Sequence, residues 1–198
     1  METNLIPSRD WRNEAQRYGR VSQTLHWMIA ALIFVTVGLG LTLGYYQRGS
    51  ATHDDLILIH KSLGFIILIL TIFRLTWFLH SPAPLASPRL QTWERRLAWL
   101  VHRFLYLMLF AMPLSGILLS QAAGKSVDIF GLFTLPQLVP FDPAIPPTQR
   151  PLLAAGVILH KLVFKITLFV LIGGHLAGVL KHLLIDRDHA SIRRMWGR

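Results

Sequence analysis

Four stretches of this 198-residue chain are long, apolar and almost free of charge, and each can cross the roughly 30 Å hydrocarbon core of a bilayer. In lipid every backbone amide and carbonyl must find its partner inside the protein, so apolar runs of this length are read as helices. From Val21 to Gln47 no formally charged residue occurs. The predicted helices cover about 21–46, 56–79, 97–120 and 152–185, with Pro113 a possible kink in the third. There is no internal repeat, heptad seam or nucleotide-binding glycine motif, so the expectation is one domain over 1–198, an all-α four-helix membrane bundle.

Charge sets the orientation. The formal net charge of +10 lies mostly outside the apolar runs. Arg9, Arg12, Arg17 and Arg20 precede the first run, Arg89, Arg95 and Arg96 follow a proline-rich linker at 81–88, and Arg187, Arg193, Arg194 and Arg198 close the chain. The first and third connections are nearly neutral. All three basic segments then fall on one side, which places both termini in the cytoplasm. Cations flanking membrane runs suit an anionic lipid surface, and a nucleic-acid partner is not expected. The first run is too long for a cleaved signal peptide and follows about twenty polar residues of weak expected order. The proline-rich connection at 121–151 is expected on the membrane surface.

There are no cysteines, which excludes disulfides, thiolate ligation, cysteine-bound iron–sulfur clusters and covalent c-type haem. Histidine is the remaining ligand type. His160 and His175 share the fourth run, about 22 Å apart along a helix and about 60° apart around it. His26 starts the first helix at the depth of His175, and His60 starts the second at the depth of His160. An imidazole in hydrocarbon needs a partner. Four of them as two couples are what two stacked b-type haems require, held non-covalently. Each alone reads as well as a hydrogen-bonded packing residue, but four at two matched depths disfavour that. His182 and His102 are expected near an interface, beside a propionate or quinone headgroup or simply snorkelling. His53, His80 and His189 fall in connections or tails and read as solvated.

Lys61 and Lys161 each follow a candidate ligand, and Lys165 lies one turn further on. Cations inside membrane helices are expensive and tend to have a task. Here they would pair with propionates or draw in an anionic substrate, with snorkelling the plain alternative; Arg74 would serve the cytoplasmic haem in the same way. No Asp or Glu lies well inside a helix, so proton or cation transport loses its usual carriers. A His-lined metal transporter and a packing-only membrane subunit of a larger dehydrogenase stay open.

An ordered set of motifs covers nearly the whole chain: Arg17-Tyr-Gly19 with Leu25-His-Trp27, Ile59-His-Lys-Ser-Leu-Gly64, Phe73-Arg-Leu75, Val101-His-Arg103 and Leu114-Ser-Gly116. Gly124-Lys125, Phe130-Gly131, Leu159-His160, His175 and Leu180-Lys-His182 follow. In this set the chain resembles the prokaryotic cytochrome b561 family of di-haem membrane proteins. The resemblance implies haem ligands at His26, His60, His160 and His175, a bacterial inner-membrane location, and electron exchange with the quinone pool. Some members are similar to superoxide oxidase, which passes an electron from superoxide to quinone. One departure is the spacing of the two fourth-helix histidines, one residue longer than the family pattern. The extra residue rotates one imidazole by about 100° unless a π-bulge absorbs it, and Gly173-Gly174 is its expected place.

The expected function is therefore bis-histidine di-haem electron transfer between a periplasmic partner and ubiquinone. With no open iron position, relay is favoured over oxygen binding. The enzymatic alternative is a superoxide:ubiquinone oxidoreductase using Lys61, Lys161 and Lys165.

Overall fold

A computed structural model describes residues 11–85 and 90–196. Arg9, the stretch 86–89 with Arg89, and Arg198 lie outside the described residues. The four apolar runs form helices Arg20–Tyr45, Ala51–His80, Thr92–Ala122 and Pro151–Ile185, each apolar and long enough to span a bilayer. The first ends in a 3₁₀ turn, Leu43–Tyr45. Pro113 sits inside an unbroken third helix.

The second helix starts five residues before its predicted position. The Ser50 side chain accepts from the His53 amide, and Asp54 sits in the first turn, where the helix dipole favours an anion. The acidic pair that reads as a connection is thus a helix start. His53, expected to be solvated, is only 6% exposed and pairs with Asp54 at 3.2 Å. His80 lies in the last turn of this helix, its Nδ1 bonded to the Thr76 carbonyl at 2.9 Å. The third helix begins at Thr92, a turn before its membrane-spanning part, and is capped by reciprocal bonds between Gln91 and Glu94.

The helices pack in chain order: first on second, second on third, third on fourth. Close packing joins the fourth helix to the third, where a Cβ on Gly156 would come within 2.8 Å of the Leu119 Cα. No comparable packing joins the fourth helix to the first or second among the described residues. Ile29, Ile67 and Leu109 form a buried cluster flanked by Leu32, Ile33, Leu70 and Tyr106. In sequence these residues fall between the two levels of candidate histidines, so an apolar plug separates the levels.

The fourth helix carries the expected π-bulge, but not at Gly173-Gly174. It occupies Leu159–Val163, around His160 itself, and a second π turn covers Lys181–Ile185. The Phe164 amide reaches the Leu159 carbonyl five residues back, the hydrogen bond of a π turn. Glycine freedom is therefore not needed for it.

Each end of the bundle is closed by a different device. At one end, residues 123–150 hold a small antiparallel hairpin, Asp128–Ile129 with Phe133–Thr134, that sequence patterning misses. Phe130 and Gly131 both take positive φ, and the Leu132 amide bonds the Ile129 carbonyl, a turn of the mirror-image hairpin type. The buried Gln121 side chain ties this connection down, donating to the Pro136 carbonyl and accepting from the Leu138 and Val139 amides. At the other end, residues 11–19 are pinned, contrary to the weak order expected of them. Asn13 binds Ser81 and Pro82, and the Tyr18 amide bonds the Arg194 carbonyl on the short terminal helix His189–Trp196.

Candidate functional site

Two couples of imidazoles bridge the gap beside the fourth helix. At the hairpin end the ring centroids of His60 and His160 are 6.2 Å apart, with planes at 86°. At the termini end those of His26 and His175 are 6.3 Å apart at 73°. A metal–imidazole bond of about 2.0 Å on each side, plus about 1.1 Å from ring centre to nitrogen, requires about 6.2 Å. Both couples meet that requirement. His102 lies nearer to His175, at 5.2 Å and 88°. That separation is short of the about 6.2 Å that a linear nitrogen–metal–nitrogen arrangement requires, which the His26–His175 couple meets.

The π turn explains how one helix serves both couples. In a bundle wound at about 3.5 residues per turn, a spacing of fourteen is two full heptads and keeps one face. His160 and His175 are fifteen apart, and the π turn absorbs the extra residue.

The hairpin-end couple is tied to backbone. His60 Nδ1 bonds the Thr36 carbonyl at 3.0 Å, and His160 Nδ1 bonds the Met112 carbonyl at 3.0 Å with Ser115 Oγ also at 3.0 Å. A carbonyl has no proton to give, so both Nδ1 atoms carry hydrogen and both Nε2 atoms keep a lone pair. That is the tautomer a metal ligand needs. The buried Thr36 hydroxyl has no hydrogen-bond partner, so the pocket keeps an uncommitted polar atom at this level.

At the termini end no hydrogen bond to either ring is found among the described residues. Trp27 packs edge-on against His26 at 5.2 Å, donates from its indole to the Met195 carbonyl, and meets Trp196 at 4.7 Å. Arg74 lies over the Tyr106 ring and is close enough to His26 and His175 to act on both. Burial pushes the nearby Tyr18 phenol above its ordinary range, with Tyr106 adding and Arg74 and Arg194 opposing. A Cβ added at Gly173, Gly174 or Gly178 would meet nothing, so helix surface near His175 is open to a flat group.

The remaining sequence candidates scatter. Lys61 Nζ donates to the Ser126 carbonyl at 2.8 Å, anchoring the hairpin, and Ser62 Oγ accepts from the Phe130 amide. Lys161 and Lys165 are exposed, with no hydrogen bond or ion pair among the described residues. His182 binds Asp186 at 2.7 Å, and Lys181 links Asp186 to Glu94 across to the third helix. His182 is thus part of a surface ion cluster. His102 Nδ1 bonds the Ala98 carbonyl at 2.6 Å. The carbonyl anchors, the hairpin and the Trp27–Trp196 contact have no signature in one sequence.

Comparison with known proteins adds the following. The sequence model described as prokaryotic cytochrome b561 matches residues 17–198. "Cytochrome b561 homolog 2" of Escherichia coli (strain K12) is 33% identical, with 94% of each chain covered. "Cytochrome b561 homolog 1" of the same organism is 26% identical over 90% of this chain and 97% of its own. "Probable superoxide oxidase CybB" of Yersinia pestis is 26% identical over 91% of this chain and 96% of its own.

Proposed function

The chain belongs to the prokaryotic cytochrome b561 family, inner-membrane electron-transfer proteins that bind b-type haem, and from that premise we propose that it carries two haems and exchanges electrons with the quinone pool. His60 and His160 would hold one haem, and His26 and His175 the other. The observation that carries this is the pair of matched centroid separations, 6.2 and 6.3 Å, across a gap the fourth helix does not close by packing. When bound, haem supplies one-electron redox exchange at its iron.

The chain's own residues do the rest. The Thr36 and Met112 carbonyls hold His60 and His160 in the ligating tautomer. The Ile29–Ile67–Leu109 cluster keeps water out between the two levels. Arg74 places a fixed positive charge beside the termini-end couple. We place the termini in the cytoplasm and the hairpin in the periplasm, from the distribution of Lys and Arg.

The test is haem per chain in the purified wild type and in single His→Ala variants. About two haems are expected in the wild type and about one in each variant at His26, His60, His160 or His175. A colourless wild type overturns the reading.

A second reading, superoxide:quinone oxidoreductase, is favoured by the cations at the hairpin end: Lys61 with Lys125 close by, and Lys161 with Arg48 close by. An attractive field there would concentrate a small anion. Superoxide-driven quinone reduction that slows several-fold in Lys161→Gln, and loses part of its salt dependence, supports it. An unchanged rate and salt profile removes Lys161 from the reading.

A further inference from the structure

We infer that Gly40 and Gly116 are positioning residues, each completing a notch that locks one imidazole of the hairpin-end couple. Each notch is a glycine together with the carbonyl of the residue four before it. This rests on the two-haem reading above.

The two notches repeat the same geometry on different helices. On the first helix the His60 Nδ1 bonds the Thr36 carbonyl, and a Cβ added at Gly40 would stand 3.0 Å from His60 Cε1 and 3.4 Å from its Nδ1. On the third helix the His160 Nδ1 bonds the Met112 carbonyl, and a Cβ added at Gly116 would stand 3.0 Å from His160 Cε1 and 3.4 Å from Nδ1. In both cases the glycine sits one helical turn beyond the accepting carbonyl, on the same face. The missing side chain is what lets the ring come close enough to reach that carbonyl. The carbonyl has a second lone pair to give while its own helical bond stays intact.

Two constraints then meet on each ring. The notch fixes the Nδ1 edge, and the metal bond fixes the Nε2 edge. A methyl at position 40 or 116 forces the ring to give by a few tenths of an ångström. Because the couple spans only 6.2 Å, that displacement must lengthen or tilt a metal bond, or break the carbonyl bond that sets the tautomer. Neighbouring glycines are different. A Cβ at Gly38 or Gly44 meets nothing, so alanine there is a clean control on the same helix. At the termini end no glycine among the described residues approaches His26 or His175 in this way.

The experiment compares Gly40→Ala and Gly116→Ala with Gly38→Ala and Gly44→Ala in the full-length protein. It reads haem per chain after detergent washing, and the two haem signals resolved by potentiometric titration with optical and electron paramagnetic resonance detection. The notch variants are expected to hold one of the two haems about 10–100-fold more weakly and to change only its signal. The controls are expected to match the wild type. Ser115→Ala, which adds no bulk and removes the hydroxyl's contacts to His160 Nδ1 and to the Met112 carbonyl while leaving the ring-to-carbonyl bond in place, is expected to change the same signal by less. Notch variants with wild-type spectra and retention overturn the inference. So do notch variants that fail to fold together with a Ser115→Ala protein of unaltered spectrum. A wild type without haem defeats the underlying reading instead, which keeps the two failures distinct.

Discussion

The two ends of the bundle solve one problem in opposite ways. At the hairpin end the imidazoles are placed by scaffold: carbonyls on the first and third helices hold the Nδ1 edges, and glycines make room for the rings. At the termini end the rings have no such anchor among the described residues; aromatic and cationic neighbours crowd them instead, Trp27, His102 and Arg74. The first couple is held by hydrogen bonds from its rings to helix backbone; the second stands at the same separation with no such bond among the described residues. A couple positioned by backbone resists change at any one side chain, whereas a couple positioned by side chains and a terminal helix is open to tuning.

The largest test of this contrast removes the rings themselves. His60→Ala and His160→Ala, like His26→Ala and His175→Ala, are each expected to cost about one haem per chain. The contrast lies in the order of release: when wild-type protein is stripped of haem in stages, the termini-end haem should leave first. Loss of the hairpin-end haem first breaks the comparison. His102→Ala should keep the full haem complement and move only the termini-end potential. Loss of a haem there would make His102 a ligand despite its 5.2 Å separation from His175.

Next in size is the closure of the hairpin end. Gln121 is 1% exposed, and its side chain serves the Pro136 carbonyl and two amides. Gln121→Ala would remove these three bonds to the exposed connection and should cost about 0.5–1.5 kcal/mol in thermal unfolding. The termini-end potential should stay where it was. Trp196→Ala is the matching change at the other end, removing the ring that meets Trp27 and nothing that touches the hairpin. A lost aromatic pair is worth about 1 kcal/mol. It should appear as a shift of the termini-end potential alone, and equal shifts of both potentials would show that the ends are not independent.

The two ends also differ in how much of them a sequence can carry. The four helices were legible because apolar length and flanking charge follow from bilayer physics, and the couples because depth along a helix is arithmetic. The fourth-helix spacing even announces a π-bulge. Its position did not follow, because Gly173 and Gly174 look flexible on paper while the turn is needed where His160 meets the third helix. The start of the second helix is hidden in the sequence because Asp54 and Asp55 resemble a connection, although an acidic first turn behind Ser50 is equally good chemistry for a helix start. Gly40 and Gly116 could not be separated from Gly38 and Gly44: a glycine that admits an imidazole and one that faces open space are the same letter.

The smallest expected effect separates the ends by the chemistry of one carboxylate each. Hydrogen bonds from Lys181 first and His182 second hold the Asp186 carboxyl below its ordinary range. Hydrogen bonds from Ser126 and then Thr134 do the same for Asp128 in the hairpin. A carboxyl lowered in the folded state adds stability that is complete above its ordinary range and is lost as pH falls through the lowered value. Both ends should therefore loosen on acidification. Salt tells them apart. The Asp186 clasp has a cationic partner on an exposed surface, so its small contribution should fade as ionic strength rises. Asp128 is held chiefly by the Ser126 and Thr134 hydroxyls, with the Lys61 charge a smaller contribution, so its effect should fade less. Acid titrations at low and high salt, following the two haem signals separately, should show an onset that depends strongly on salt at the termini end and weakly at the hairpin end. Asp186→Asn should abolish the first and leave the second in place.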